Sequence, residues 1–385
     1  MKKIITLAGA LSLALLTGTI NAEAPLEISG NATVMMGWQH DDGGALPGPG
    51  GEFSMVRGLR APNRDTFNFY LDQVEIDIEK SFGDKIRLRA DLDFGRALSG
   101  SGRSTEGANF VVEQAYMTVG VLGGELAIGR FNAPVGYYLV DRVDNPTISY
   151  ANIYNFLTPT NMTGAKMHWE FDNGLDLQVY AVNSMFDCLQ IGGSCLTGPR
   201  TGPGTADSAI PSFGTRLGYN WGSEETASTI GLAYIAGPEQ GQNAHWDHLV
   251  DLDFAIKATE NLLIAGEAIY YQRNNLSGVT GPNAKFIGGL LVLDWQMNEL
   301  WDLYGSYGYV HDIQGVVTGL DQQVHNGVIG FGYKITDDAK FKMEYRLDYF
   351  QYAKNQGPRT AIGPVTLGDT SSVSHGLAGE FSYRF

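Results

Sequence analysis

The sequence has little cysteine, little charge and, beyond its first residues, no long apolar run. Only 2 cysteines occur among 385 residues, and Asp, Glu, Lys and Arg together make up 18% of the chain. After residue 22 no segment stays apolar over the roughly 20 residues that a membrane-spanning helix needs. A helical membrane protein is therefore excluded, and any crossing of a membrane must use β-strands.

Basic residues and catalytic motifs are scarce as well. The formal net charge is −16, whereas binding to nucleic acid needs a basic face. The 7 histidines are scattered, and neither a His-Glu-x-x-His zinc motif nor a phosphate-binding glycine loop occurs. Ser374 and His375 fall in one expected strand, where neighbouring side chains point to opposite faces. We therefore expect no enzyme, no catalytic or metal-binding residues, no cofactor and no nucleic-acid partner.

The first 22 residues have the pattern of a secretory signal peptide. Lys2 and Lys3 precede an apolar run over residues 4–16, and small and polar residues continue to Ala22. This order of basic, apolar and small residues is typical of exported proteins. The sequence predicts a signal peptide at residues 1–22, with cleavage after Ala24 as the alternative, and a single domain over residues 23–385.

The two cysteines, Cys188 and Cys195, lie close together in a glycine-containing segment. In the oxidising compartment that a signal peptide implies, such a pair is expected to form one disulfide that closes a small loop. No histidine flanks them at the spacing of a metal site, so the prediction is a loop disulfide.

From Leu26 onward, apolar and polar residues alternate along many segments. The clearest are Lys85–Arg96, Trp246–Lys257 and Lys340–Tyr349, and a period of two indicates strands with one apolar and one polar face. The pattern predicts about sixteen strands, near residues 26–39, 67–82, 85–96, 109–120, 125–131, 161–171, 175–184, 211–222, 226–236, 246–257, 261–273, 285–297, 300–311, 324–335, 340–353 and 373–385.

The expected connections alternate between tight turns and long loops. This sorting is typical of outer-membrane barrels, whereas a soluble β-sandwich has no reason for it. The predicted fold is all-β, a single transmembrane antiparallel up-and-down β-barrel of 14 to 18 strands, with short periplasmic turns and long extracellular loops. Aromatic residues at strand ends suit the two interfacial girdles, although aromatics also favour strands in general.

The end of the chain carries aromatic residues on one strand face. Phe381, Tyr383 and Phe385 alternate, and the chain stops on Phe385. This terminal strand resembles the signal that the barrel assembly machinery recognises. The expected location is the bacterial outer membrane, with membrane lipid, lipopolysaccharide and, through Phe385, the assembly machinery as partners.

Three segments resemble the family of beta-barrel porins related to OmpL: Val112–Tyr116, Gly129–Tyr137 and the terminal Phe385. The resemblance implies a porin through which small hydrophilic solutes or ions diffuse passively, without a cofactor. The Gly129–Tyr137 stretch is also similar to the phosphate-selective porins. Because that family has basic pores and this chain is acidic, phosphate selectivity is not expected.

A barrel of about sixteen strands leaves a lumen that side chains cannot fill. Charges facing that lumen need water there, since an Arg or Lys facing lipid costs about 2–4 kcal/mol at the bilayer midplane. The predicted pore-lining and constriction residues are Arg87, Arg89, Arg130, Asp141, Arg142, Asp144 and Arg346.

The third long loop, at about residues 132–160, is the candidate constriction, because general porins fold that loop inward. In this hypothesis Asp141 and Asp144 face a basic wall of Arg87, Arg89 and Arg130 and create a transverse field. The alternative is a packed surface loop outside the barrel, whose tyrosines are structural.

Three further questions stay open at this point. The acidity is consistent with soluble exposed loops, with a preference of the pore for cations, or with divalent bridges to lipopolysaccharide. A homotrimer is expected by analogy with porins of this size. The alternative function is an adhesin or structural barrel whose loops at residues 43–51 and 185–210 bind a partner.

Overall fold

The structure is a computed structural model, and it describes nine segments of the chain. These are residues 24–41, 66–95, 110–186, 210–223, 226–238, 246–274, 283–313, 321–352 and 371–385. The predicted signal peptide, the predicted disulfide between Cys188 and Cys195, the loop at 43–51 and nearly all of the loop at 185–210 lie outside the described residues.

Sixteen antiparallel strands form one closed barrel. Their bounds are β1 Glu27–Asp41, β2 Thr66–Phe82, β3 Ile86–Phe94, β4 Phe110–Val121, β5 Gly124–Asn132, β6 Asn161–Glu170, β7 Leu175–Val182, β8 Ser212–Trp221, β9 Ser228–Gly237, β10 Asp247–Thr259, β11 Leu262–Arg273, β12 Ala284–Gln296, β13 Trp301–Ile313, β14 Gln322–Lys334, β15 Ala339–Tyr352 and β16 Ser371–Arg384. Each strand pairs with its neighbours in the chain, and β1 pairs with β16 from Asn31–Arg384 to Asp41–Ser374. The predicted all-β up-and-down barrel is confirmed, with sixteen strands.

The alternation seen in the sequence separates the two faces of the sheet. On β15, Tyr345 and Leu347 are 41% and 38% exposed on the outside, whereas Lys342 and Arg346 are 1% exposed on the inside. Outward tryptophans such as Trp295 and Trp301 lie near the rim that carries the two termini. The outer surface is thus an apolar belt with aromatic residues at its edge, which suits lipid contact.

The largest apolar cluster lies inside the barrel. It joins Tyr138, Ile153 and Leu157, from the connection between β5 and β6, to inward residues such as Phe286 and Val292 of β12. That connection contains a 3-10 turn at Arg142–Asp144 and one short helix, α1, at Asn152–Phe156. Among the described residues no helix is long and apolar enough to span a membrane.

Candidate pore constriction

The connection between β5 and β6, residues 133–160, crosses the lumen, and we call it the crossing loop. It accepts or donates hydrogen bonds with inward side chains of Gln73 on β2, Asp251 on β10 and Arg346 on β15. In a closed barrel of sixteen strands, β2 and β10 lie eight strands apart and therefore on opposite walls. A segment that contacts both walls from within must lie inside the barrel.

One side of the crossing loop is apolar and packs on β12 and β13. Ile153 and Leu157 have no exposed surface, and Phe156 contacts the ring of Phe286 with 6.4 Å between ring centroids. Gly288 leaves room for the loop, since a Cβ atom at that position would lie 3.0 Å from Cγ1 of Ile153. The barrel wall is therefore apolar here because it faces the crossing loop rather than water.

The sequence contains a signal for this apolar wall, in the run at residues 286–293. Its inward positions, such as Leu290 and Val292, are as apolar as its outward positions, such as Leu291 and Leu293. A continuous apolar strand is typical of burial on both faces. The prediction from sequence used the alternating segments and did not interpret this continuous apolar run, so it missed the interior contact.

Inward side chains of β15 hold the crossing loop to the wall, and we call this set of contacts the β15 anchor. Its first two members are the charged residues Glu344 and Lys342. The carboxylate of Glu344 accepts hydrogen bonds from the backbone amides of Ile148, at 2.7 Å, and Ser149, at 3.1 Å, and from the Ser149 hydroxyl. Two residues earlier on the same face of β15, Nζ of Lys342 donates to the carbonyl of Asn145 at 2.7 Å. Because these groups satisfy backbone atoms of the loop, they fix its path rather than line open water.

Arg346 and Asp348 complete the β15 anchor. The Arg346 guanidinium donates to the carbonyl of Tyr150 at 2.5 Å and to Oδ1 of Asn152 at 2.9 Å. It also pairs with Asp348 at 2.6 Å, and Nδ2 of Asn152 donates to the same carboxylate at 2.8 Å. Arg346, Asp348, the side chain of Asn152 and the carbonyl of Tyr150 are thus joined to one another by hydrogen bonds. This buried network holds α1 against the wall.

A second anchor holds the start and the end of the crossing loop to β10 and β11. The amides of Gly136 and Tyr137 donate to Asp251, at 3.1 Å, and to Glu267, at 3.0 Å. The hydroxyl of Thr158 donates to the other oxygen of Glu267 at 2.8 Å. Both carboxylates point inward, and neutral donors of the loop hydrogen-bond to them, although one oxygen of Asp251 has no hydrogen-bond partner.

Arg142 forms the third anchor, on β2. Its guanidinium makes an ion pair with Asp72 and donates to the carbonyl of Ile148 at 2.5 Å. Its backbone amide donates to Gln73 at 3.2 Å, and the guanidinium lies 4.7 Å from the centroid of the Tyr150 ring. Arg142 is 1% exposed, so the structure places this predicted pore residue within the packed loop.

The other predicted acidic residues of the loop, Asp141 and Asp144, have different surroundings. Asp141 is partly buried and lies 3.5 Å from Nε2 of Gln73; its burial raises the pKa of its carboxyl, and the charge of Asp144 acts in the same direction. Asp144 makes an ion pair with Arg384 near the rim of the termini. The structure thus brings Asp141 to the β2 wall and Asp144 to β16.

The predicted basic wall is divided among three separate sets of contacts. Arg87 lies 3.7 Å from Glu79 and 3.6 Å from Glu125, with its side chain 40% exposed. Arg89 pairs with Asp91 at 2.9 Å, whereas Arg130 donates to a backbone carbonyl at 3.0 Å. The effect of these arginines on ion passage stays a prediction.

Carboxylates dominate the buried charged groups in the described part of the chain. Fourteen Asp and Glu residues are buried there, against four Arg and Lys residues. Toward the rim of the termini the inward charges stay wet, as the 34% exposed side chain of Lys340 beside Asp302 illustrates. The buried charged groups in the described part of the barrel are therefore mostly acidic.

The barrel with its inner loop is similar to solved outer-membrane channels. The outer membrane channel DcaP of Acinetobacter baumannii superposes with a TM-score of 0.66 at 12% identity, covering 95% of this chain and 98% of that one. The anion-selective porin from Comamonas acidovorans gives 0.56 at 10% identity, with 94% and 99% covered. OmpF of Salmonella typhi, in complex with daunomycin, gives 0.54 at 14% identity, with 94% and 100% covered.

At these identities the likeness to solved structures establishes the fold, and the solute of each neighbour belongs to that neighbour alone. No curated protein matches the chain. One family model, however, matches residues 25–376, which is most of the sequence. The barrel, its crossing loop and this match agree: the chain is a porin and belongs to the family described as "Putative beta-barrel porin-2, OmpL-like".

Proposed function

We propose that the chain forms a water-filled channel in the bacterial outer membrane, in which the crossing loop is the narrowest part. Small hydrophilic solutes or ions pass by diffusion, without a cofactor or an energy source. The observation that carries this proposal is the crossing loop itself, held on opposite walls by three sets of polar contacts. Selectivity in such a pore follows from the diameter and the charges at its narrowest ring.

The preference of this channel is for cations over anions. The support is the excess of carboxylates among the buried charges and the formal net charge of −16. Carboxylates that line a low-dielectric passage raise the local concentration of cations and lower that of anions. Neutral solutes are then limited by size alone.

Planar bilayers with a KCl gradient test both parts of this function. We expect stepwise conductance and a reversal potential of the sign that indicates potassium passing more readily than chloride. In the variant with Asp141→Asn and Asp144→Asn, the preference for potassium should fall, because the carboxylate of Asp141 leaves the narrow region and Arg384 near the rim loses its negative partner. An intact barrel without conductance would refute the channel, and unchanged selectivity in the variant would refute the role of these two residues.

The proposed function includes export of the chain and its assembly in the outer membrane. Residues 1–22 are removed as a signal peptide, and residues 23–385 form the barrel. The backbone of Phe385 pairs with Gly30 at 3.0 and 3.1 Å, so the terminal residue lies at the seam where β1 meets β16. A terminal aromatic at the closing seam is well placed to contact the assembly machinery. The outer apolar belt is well placed to contact membrane lipid and lipopolysaccharide.

A homotrimer is the proposed assembly; OmpT of Vibrio cholerae, another structural neighbour, has a trimer form.

A further inference from the structure

Four carboxylates meet where the crossing loop touches the inner wall of β2, β3 and β4. Glu75, Asp93 and Glu113 come from these three strands and are 1%, 0% and 2% exposed, and Asp141 comes from the loop. Carboxylate oxygens of Glu75, Glu113 and Asp141 all lie within 4.8 Å of one another, and Asp93 adjoins Glu113. We call these four residues the acidic cluster.

Two arginines beside the acidic cluster pair with other carboxylates, and a third, Arg130, donates to the backbone carbonyl of Glu113 at 3.0 Å. Arg89 pairs with Asp91 at 2.9 Å, and Arg142 pairs with Asp72. Within the described segments no Lys or Arg makes an ion pair with any member of the acidic cluster. Among the described residues, these four carboxylates therefore have no ion-pair partner, and only the more distant charge of Arg89 acts on Asp141.

Amide groups satisfy only part of the acidic cluster. Nδ2 of Asn31 donates to one oxygen of Glu75 at 2.6 Å, and Nε2 of Gln73 donates to one oxygen of Asp93 at 3.0 Å. The other oxygen of each carboxylate has no hydrogen-bond partner. Glu113 is the extreme case, because neither of its oxygens has a partner although the side chain is almost fully buried.

Two agents can neutralise such a group, namely protons or a metal ion, because an isolated buried carboxylate is too costly to keep. A proton on Glu113 would form one hydrogen bond, to the neighbouring Asp93, and would leave the free oxygen of Glu75 without a partner. A cation at the point where oxygens of Glu75, Glu113 and Asp141 converge contacts all three carboxylates together. The unpartnered, buried Glu113 aimed at Glu75 and Asp141 therefore favours a metal ion.

We propose that the acidic cluster binds one calcium ion, which ties the crossing loop through Asp141 to the wall of β2, β3 and β4. Ca²⁺ takes 6–8 oxygen ligands at about 2.3–2.6 Å, so two ligands of one ion lie up to about 5 Å apart, which matches the separation of these oxygens. Mg²⁺ suits the cluster less well, because it requires near-ideal octahedral geometry and retains several waters. The sequence led us to expect no metal site, since these carboxylates come from four separate parts of the chain.

Calcium titration by calorimetry tests the site on full-length mature protein that is refolded in detergent, free of lipopolysaccharide and washed with EDTA. We expect one Ca²⁺ per chain, with Mg²⁺ binding more weakly. Glu113→Gln should weaken Ca²⁺ binding at least about tenfold, as the loss of a ligand or its support does in metal sites. Glu125→Gln is the matched control and should bind as the wild type does, because Glu125 is an exposed inward carboxylate beside Arg87.

Thermal unfolding of the same proteins gives a second readout. Calcium should reverse which protein, variant or wild type, unfolds at the higher temperature. In EDTA, Glu113→Gln should unfold at a higher temperature than the wild type, because it relieves repulsion among four carboxylates. With Ca²⁺ the wild type should be the more stable, because binding to the folded state raises its stability. Asp141→Asn, in the loop rather than the barrel, should show the same reversal.

Three results would each overturn the calcium site: no Ca²⁺ heat in the wild type, wild-type affinity in both Glu113→Gln and Asp141→Asn, or tighter binding of Mg²⁺ than of Ca²⁺. Glu75→Gln replaces Glu113→Gln if the latter does not fold. None of these measurements depends on conductance, so the channel function and the calcium site can fail independently.

Discussion

Replacing residues 138–156 with a short Gly-Ser linker is expected to raise the single-channel conductance severalfold. The crossing loop occupies the lumen of a barrel whose sixteen strands would otherwise enclose an open aqueous channel. The barrel should still form, because charged partners of the loop such as Glu344 and Arg346 become hydrated when the loop is gone. Recordings in planar bilayers, with heat-dependent gel mobility to confirm folding, measure the effect.

The control for this excision inserts the same linker into the tight turn between β6 and β7, after Asn173. That turn lies at the rim of the termini and outside the lumen, so the conductance should match that of the wild type. A loop-excised barrel that folds and conducts like the wild type would show that the narrowest part of the pore lies elsewhere.

The second large effect is expected from Arg346→Met. Arg346 is 1% exposed and holds Asp348 and two groups of the crossing loop, so its removal leaves buried partners without a counter-charge. Removing one member of a buried ion pair costs about 3–5 kcal/mol. We expect a lower unfolding temperature and a noisier, larger conductance, since the loop is released from β15.

Arg87→Met is the matched control for stability. Its guanidinium lies 3.6–3.7 Å from two carboxylates and is 40% exposed, and exposed pairs contribute about 1 kcal/mol or less. The unfolding temperature should therefore stay near that of the wild type. Equal losses of stability in the two variants would mean that Arg346 is not the buried anchor described above.

The strands were predictable because their signal is local. Alternation over Lys340–Tyr349 identifies both faces of β15 without any knowledge of its neighbours, and lipid outside with polar groups inside enforces that period of two in every strand. The predicted strand positions therefore lie within a few residues of those observed, and the count of sixteen is confirmed.

The path of the crossing loop was not predictable to the same degree, because its contacts join distant parts of the chain. Ile148 and its acceptor Glu344 are 196 residues apart, and no periodicity links them. The sequence therefore left both an inward loop and an outer surface loop open. The apolar inner face of β12 was the available hint, but the prediction from sequence relied on alternating segments and did not use it.

The acidic cluster was hidden for a related reason. Taken singly, Glu75, Asp93 and Glu113 have the pattern of inward residues that face water in a porin. Only the register of β2, β3 and β4, together with the position of Asp141 in the crossing loop, brings the four carboxylates together and buries them. Their shared lack of an ion-pair partner among the described residues is a property of the fold and not of any one segment.

A disulfide between the crossing loop and the barrel wall tests the central claim most directly, that this loop lies inside the lumen. In a chain with Cys188→Ser and Cys195→Ser, we introduce Ile153→Cys and Gly288→Cys, whose side chains meet inside the barrel. Mild oxidation in membranes should cross-link this pair and change the gel mobility reversibly. The pair Ile153→Cys and Leu291→Cys should not react, because Leu291 faces outward and is 45% exposed. Cross-linking of the outward pair, or none in the inward pair, would contradict a loop that crosses the pore.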